Sequence, residues 1–87
     1  MGTALMAATY KNHPQLVKLL LEKKANPNAT DANGTTALSL AVQFKNDQLV
    51  KLLLDYKADK TIKDNEGKTA FEHAVFSQNE SIINLLK

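Results

Sequence analysis

The sequence repeats with a period of 33 residues and needs no gap to do so. Gly34-Thr-Thr-Ala-Leu-Ser-Leu-Ala41 aligns with Gly67-Lys-Thr-Ala-Phe-Glu-His-Ala74. Leu16-Val-Lys-Leu-Leu-Leu21 aligns with Leu49-Val-Lys-Leu-Leu-Leu54, Lys24-Ala25 with Lys57-Ala58, and Asp31 with Asp64. A fixed period of a few tens of residues means stacked supersecondary units, each too small to bury its own apolar face. The chain is 87 residues long, so it makes one domain at most. A single compact core of that size is marginal, whereas a stack gains one interface with every added unit.

Composition narrows the class. Apolar residues at 44% and charged residues at 23% are ordinary for a water-soluble globular chain. A net charge of +2 argues against a dedicated nucleic-acid or polybasic membrane surface. Without cysteine there is no disulfide framework and no thiolate metal site. The apolar runs are far shorter than the roughly 20 residues of a membrane-spanning helix. Met1 leads straight into repeat sequence, with no basic segment followed by an apolar one, so an intracellular, cytoplasmic protein is the default expectation.

Within each unit the apolar spacing is helical. Leu16, Val17, Leu20 and Leu21 form two pairs four residues apart, repeated at Leu49, Val50, Leu53 and Leu54 and begun again at Ile82, Ile83 and Leu86. A shorter helix precedes each stripe. Its expected inward residues are Leu5 and Ala8, then Leu38, Ala41 and Val42, then Phe71, Ala74 and Val75. Thr3, Thr36 and Thr69 stand where a hydroxyl caps free N–H groups, and Thr69 with Glu72 has capping-box spacing. The second helices are expected to open at His13-Pro14, Asn46-Asp47 and Asn79-Glu80. Asp31-x-x-Gly34 and Asp64-x-x-Gly67 have the residues of type I turns.

No constellation for catalysis emerges. Gly67-Lys68-Thr69 matches the tail of a phosphate-binding loop, but Ile62 stands where the pattern needs glycine. His13 and His73 belong to no paired-histidine motif, so no metal site and no cofactor are expected. The carboxylates are scattered over turns and helix ends, with no converging pair for acid–base work. The asparagines of Asn28-Ala-Thr, Asn33-Gly-Thr and Asn79-Glu-Ser are read as chance sequons in the absence of a leader. The lysines, interspersed with acids and without arginine, read as a solvated face.

The repeat residues resemble the ankyrin repeat family, whose period is 33 and whose signature is T-P-L-H-x-A. The D-x-x-G-x-T segment, the run ending in Leu-Leu-Leu, and the tails Lys24-Ala-Asn-Pro-Asn28 and Lys57-Ala-Asp-Lys-Thr61 occur in register twice. Departures stand beside the match. The signature Pro is Ala at 4, 37 and 70, and the signature His is Met6, Ser39 and Glu72, so its usual loop-bracing bonds are missing or replaced. Lys24 and Lys57 stand in place of the glycine after the second helix, at a cost on the order of 1 kcal/mol each if left-handed. Asn28 falls where the family's hydroxylated asparagine lies, with Pro27 departing from the usual neighbour.

The resemblance implies an all-α ankyrin-repeat solenoid of stacked antiparallel helix pairs with protruding β-turn fingers. Residues 1–87 form a single domain, divided into repeats 1–33, 34–66 and 67–87, the last without a finger. It further implies a non-catalytic protein–protein interaction module, expected to be monomeric. The expected binding surface combines finger tips (Thr30, Ala32, Asn33, Thr35, Lys63, Asn65, Glu66 and Lys68) with the short-helix face that the family exposes to its concave groove (Tyr10, Lys11, Gln43, Phe44, Phe76 and Ser77). Tyr10, Phe44 and Phe76 are the expected anchors. Two rival readings are a regulatory or targeting fragment of a larger enzyme, channel or secreted effector, and a nucleic-acid binder. Both ends are expected to be weakly capped interfaces, as in a piece of a longer array.

Overall fold

The computed structural model describes residues 3–87, with side chains from Ala4 onward. Six helices occur in three pairs: α1 (Thr3–Tyr10) with α2 (Pro14–Glu22), α3 (Ala37–Gln43) with α4 (Asp47–Asp55), and α5 (Ala70–Ser77) with α6 (Glu80–Leu86). No strand forms among the described residues. A lone antiparallel bridge joins Thr30 to Thr36. None of the helices is long and apolar enough to cross a membrane.

The pairs stack in chain order. Short helix α3 lies between α1 and α5, and second helix α4 lies between α2 and α6. Alanines make the close approach possible: Ala8, Ala37, Ala41, Ala70 and Ala74 are buried where the short helices meet. Leu38, Leu49, Val50 and Leu53 fill the middle of the stack, with Leu5 and Val17 on one side and Ile82 and Leu86 on the other.

Local chemistry fixes where each helix begins. Thr36 Oγ1 accepts from Ser39 N at 3.0 Å, and Thr69 with Glu72 completes a capping box. Thr3, the expected cap, begins α1, and its side chain lies outside what the structure describes. His13 Nδ1, Asn46 Oδ1 and Asn79 Oδ1 accept from the N–H three residues on, opening the second helices. Pro14 stands at the first helical turn of α2, where its missing donor costs nothing.

Helix ends are more uniform than the sequence suggests. Among the described residues, five other than glycine have positive φ: Asn12, Lys24, Lys45, Lys57 and Gln78, with values of 56°, 72°, 58°, 69° and 59°. Each closes a helix in the same way. Lys45 N donates to Val42 O and Asn46 N to Ala41 O; Lys57 N donates to Leu54 O and Ala58 N to Leu53 O. These nested bonds satisfy carbonyls that a helix end leaves free, and the motif ordinarily uses glycine. Lys24 and Lys57 are left-handed as their position implied. Asn12, Lys45 and Gln78 add three more such sites, at the links into the second helices.

Two inward assignments need correction. Val75 was expected in the core of α5 but is 48% exposed, and Leu16 was expected in the stripe of α2 but is 37% exposed. Their equivalents one and two periods away are fully buried: Val42 and Thr9 in the first case, Leu49 and Ile82 in the second. The physical reason is packing direction. Positions 9, 42 and 75 face the following repeat, and α5 has none beyond it among the described residues. Positions 16, 49 and 82 face the preceding repeat, and α2 has none before it. Thr9 tolerates this burial because its hydroxyl donates to Leu5 O at 2.7 Å.

Candidate protein-binding surface

The turns between helix pairs are built by their aspartates. Asp31 Oδ1 accepts from Asn33 N at 2.8 Å and Thr35 N at 3.0 Å, while Gly34 N closes on Asp31 O at 3.0 Å. Asp64 repeats the pattern with Glu66 N, Lys68 N and Gly67 N. The fourth residue of each turn has positive φ, 75° at Gly34 and 79° at Gly67. At Gly34 the space is also closed: a Cβ there would lie 2.7 Å from Asn65 Oδ1.

The second oxygen of each aspartate is braced by a different residue. Tyr10 Oη donates to Asp31 Oδ2 at 3.0 Å, reaching from α1 to the next turn. His73 Nε2 lies 2.9 Å from Asp64 Oδ2, nine residues back in the chain. Leu40 occupies the position equivalent to His73 and offers no such bond, so Asp31 takes its brace from the preceding helix. Both contacts fix a turn against a short helix. His73 is accordingly half-buried and ties a helix to a turn. No group of potential metal ligands gathers among the described residues.

Electrostatics follow from this bonding. The Lys68 backbone N–H, and after it the His73 ring, hold Asp64 below the usual carboxylate range. The Thr61 hydroxyl does the same for Asp59, and the Thr69 backbone N–H for Glu72. The Asp31 carboxylate pushes the Tyr10 phenol up, first through the hydrogen bond and then through its charge. A carboxylate lowered by folding stabilises the native state above its unfolded value and loses that contribution as pH falls through the folded value. Thermal stability should therefore hold from neutrality to roughly pH 5 and decline below about pH 4. Asp64→Asn should flatten the decline; a melting-temperature series against pH that is unchanged by Asp64→Asn would show that the turn bonds do not carry it.

The expected site residues fall into two groups by what they already do. Thr30, Ala32, Asn33, Lys63, Glu66 and Lys68 are exposed along the turns. Thr35 is half-buried with its N–H spent on Asp31. Asn65 is exposed but links the turns: its N–H donates to Asn33 O at 3.0 Å, and its side-chain amide reaches Ala32 O at 3.4 Å. On the short helices, Tyr10, Phe44 and Phe76 are 55%, 38% and 85% exposed. Lys11 and Gln43 are exposed beside them, whereas Ser77 is half-buried and donates to Ala74 O at 3.1 Å. Lys68 Nζ stands 5.6 Å from the centre of the Phe76 ring. Phe76, Val75 and Phe44 add exposed apolar surface near the ends of α3 and α5, with Tyr10 at the end of α1.

A polar recess of about 460 Å³ lies between the second turn and the short helices, with Gln43, Asp64, Glu66 and His73 on its walls. A depression of about 560 Å³ lies on the opposite helices, between Lys18 of α2 and Lys51 and Asp55 of α4. Neither brings a nucleophile to a base. Asn28, singled out for its position in the sequence, is half-buried, and its Oδ1 accepts from Asp59 N at 2.6 Å.

Sequence reasoning missed the Tyr10–Asp31 and His73–Asp64 braces. A signal was present in the second case: Asp64 and His73 span one turn and the start of one helix, close enough for contact. No individual curated protein matches the chain significantly. The family model for ankyrin repeats, in three copies, matches residues 5–87, and the chain belongs to the ankyrin repeat family.

Proposed function

We propose that this chain is a non-catalytic module that binds a partner protein through its turn tips and the adjoining short-helix face. Ankyrin repeats are generally protein–protein interaction modules. The observation that carries the reading here is the exposure of Tyr10, Phe44 and Phe76 at neighbouring short-helix ends. Large aromatic anchors dominate binding energy where they sit near the centre of an interface. The turns would act as the fingers of the repeat array, and the bonds through Asp31, Asp64 and Asn65 would hold them rigid before a partner arrives. Preorganisation of this kind lowers the entropy cost of docking.

The test begins with capture of a partner on the intact chain, followed by measurement of affinity and stability for Tyr10→Ala, Phe44→Ala and Phe76→Ala. Each variant should lose no more than about 1 kcal/mol of stability, because an exposed ring contributes little to the core. At least one should weaken binding tenfold or more, about 1.4 kcal/mol. If all three unfold the chain, the rings are core. If none alters binding, the partner uses another face.

A further inference from the structure

Of the asparagines of the chain, Asn33 alone is followed by glycine. The pair stands in the first turn, with Asn33 exposed and Gly34 at a φ of 75°. An asparagine amide is open to attack by the backbone nitrogen of the next residue, which closes a cyclic imide. A side chain on that next residue hinders the approach, and glycine has none. The other asparagines are followed by residues with side chains, and Asn26 by a proline, which has no N–H. The pair equivalent to Asn33-Gly34 one period on is Glu66-Gly67, which has no amide to lose. The turn itself resists the attack. Asn33 N–H donates to Asp31 Oδ1 at 2.8 Å, its carbonyl accepts from Asn65 N at 3.0 Å, and Gly34 N–H donates to Asp31 O at 3.0 Å. The attacking nitrogen is thus occupied, and the backbone is held on both sides of Asn33 Cα. Imide closure therefore waits on opening of these bonds.

We propose that Asn33 is a modification site of this chain: it deamidates spontaneously in the folded protein, at a rate set by opening of the first turn, and its isoaspartyl product loosens the link to the second turn. The proposal does not depend on the binding reading above. In the first step Gly34 N loses its proton and bonds to Asn33 Cγ, while Nδ2 leaves as ammonia. In the second, water adds to one of the two imide carbonyls and breaks its bond to nitrogen. Nothing is oxidised or reduced; the sum is one water in and one ammonia out. Cleavage at Cγ leaves an ordinary aspartate at 33. The turn accommodates it, because Glu66 already holds a carboxylate at the equivalent place in the second turn. Cleavage at the main-chain carbonyl leaves isoaspartate, in which the chain runs on through Cβ and Cγ. The former carbonyl then becomes a carboxylate on a side branch. That carbonyl is the acceptor for Asn65 N, so the bond between the two turns loses its place in the main chain. The added backbone carbon also carries Gly34 N away from Asp31 O.

The experiment is incubation of the intact chain at mildly alkaline pH, with and without guanidinium chloride. Peptides are followed by mass spectrometry with an isoaspartate-specific assay. In the folded chain Asn33 should convert before any other asparagine and give both products. Denaturant should speed its conversion about tenfold or more, which corresponds to a turn opening that costs at least about 1.4 kcal/mol. Asp31→Ala removes the carboxylate that holds Asn33 N and Thr35 N, and should convert at a rate between the two. Circular dichroism shows whether that variant is folded; if it is not, the comparison of folded and denatured wild-type chain decides alone. Hydrogen exchange at Asn65 N–H should be faster in the isoaspartyl product than in the unconverted chain, and unchanged in the aspartyl one. An Asn33 that stays intact in the folded chain while the denatured chain converts overturns the proposal. Equal rates in the two states overturn control by the turn, and earlier conversion of another asparagine overturns the choice of site. Unchanged exchange at Asn65 in the isoaspartyl product overturns the loosened link.

Discussion

Replacing Lys24, Lys45, Lys57 and Gln78 with glycine should make this chain markedly more stable. Each residue holds a left-handed backbone at a helix end, with φ between 58° and 72°. A side chain with a Cβ pays on the order of 1 kcal/mol for that conformation relative to glycine. The lysines recover part of this by placing positive charge at the negative end of a helix, worth about 0.3–1 kcal/mol. The expected net gain is therefore about 0–0.7 kcal/mol at each lysine and about 1 kcal/mol at Gln78. The four sites are separated along the stack and share no partners, so their gains should nearly add. A combined gain of about 1–3 kcal/mol corresponds to a rise in Tm on the order of 5–20 °C for a domain of this size. Asn12 should gain least, because asparagine tolerates this region of backbone space. Thermal melts of the four single variants and the combined one test the idea. An unchanged or lower Tm for the combined variant would mean that these side chains do more than occupy a strained position.

The opposite result is expected from Leu38→Ala and Leu53→Ala. Both leucines are fully buried in the middle pair, which is packed by a helix pair on either side. Cutting a buried leucine to alanine typically costs about 2–5 kcal/mol, through lost transfer energy and the cavity left behind. A natural domain of this length has roughly 4–13 kcal/mol in hand. Either substitution should therefore remove a large fraction of total stability, and the two together should leave the chain unfolded at room temperature. Phe76→Ala deletes a larger side chain but should cost little, since that ring is mostly in water. Urea titrations of the three variants decide the matter. A Leu53→Ala loss no greater than that of Phe76→Ala would mean that the middle pair is not the centre of the fold.

The repeat and its punctuation were legible because they depend on neighbours in sequence. Thr36, Thr69, Asn46 and Asn79 cap helices within one turn of themselves, and Asp31 and Asp64 close turns within four residues. Contacts between separate elements were not legible. The Tyr10–Asp31 bond spans 21 residues and has no counterpart in the next repeat, where His73 serves Asp64 from the other direction. A periodic reading averages such exceptions away. The left-handed residues at Asn12, Lys45 and Gln78 lay between the two cases. Glycine, the usual mark of that conformation, is absent there. The two- or three-residue links between paired helices nevertheless require a sharp reversal, and one left-handed residue supplies it.

Val42 and Val75 are the same residue, each preceded by alanine and set at the same point of a short helix, yet one is sealed and the other is half in water. Their difference arises wholly from what stands beyond them. Mutational tolerance in this chain therefore does not share the periodicity of its spelling. At position 75 a hydroxyl or amide is solvated at once. At position 42 the same group must find an internal acceptor, as Thr9 does one period earlier with the carbonyl of Leu5. Substitutions that drift freely in one copy are thus forbidden in another. Copies that began alike are driven apart by their places in the stack, even with no change in what the stack does.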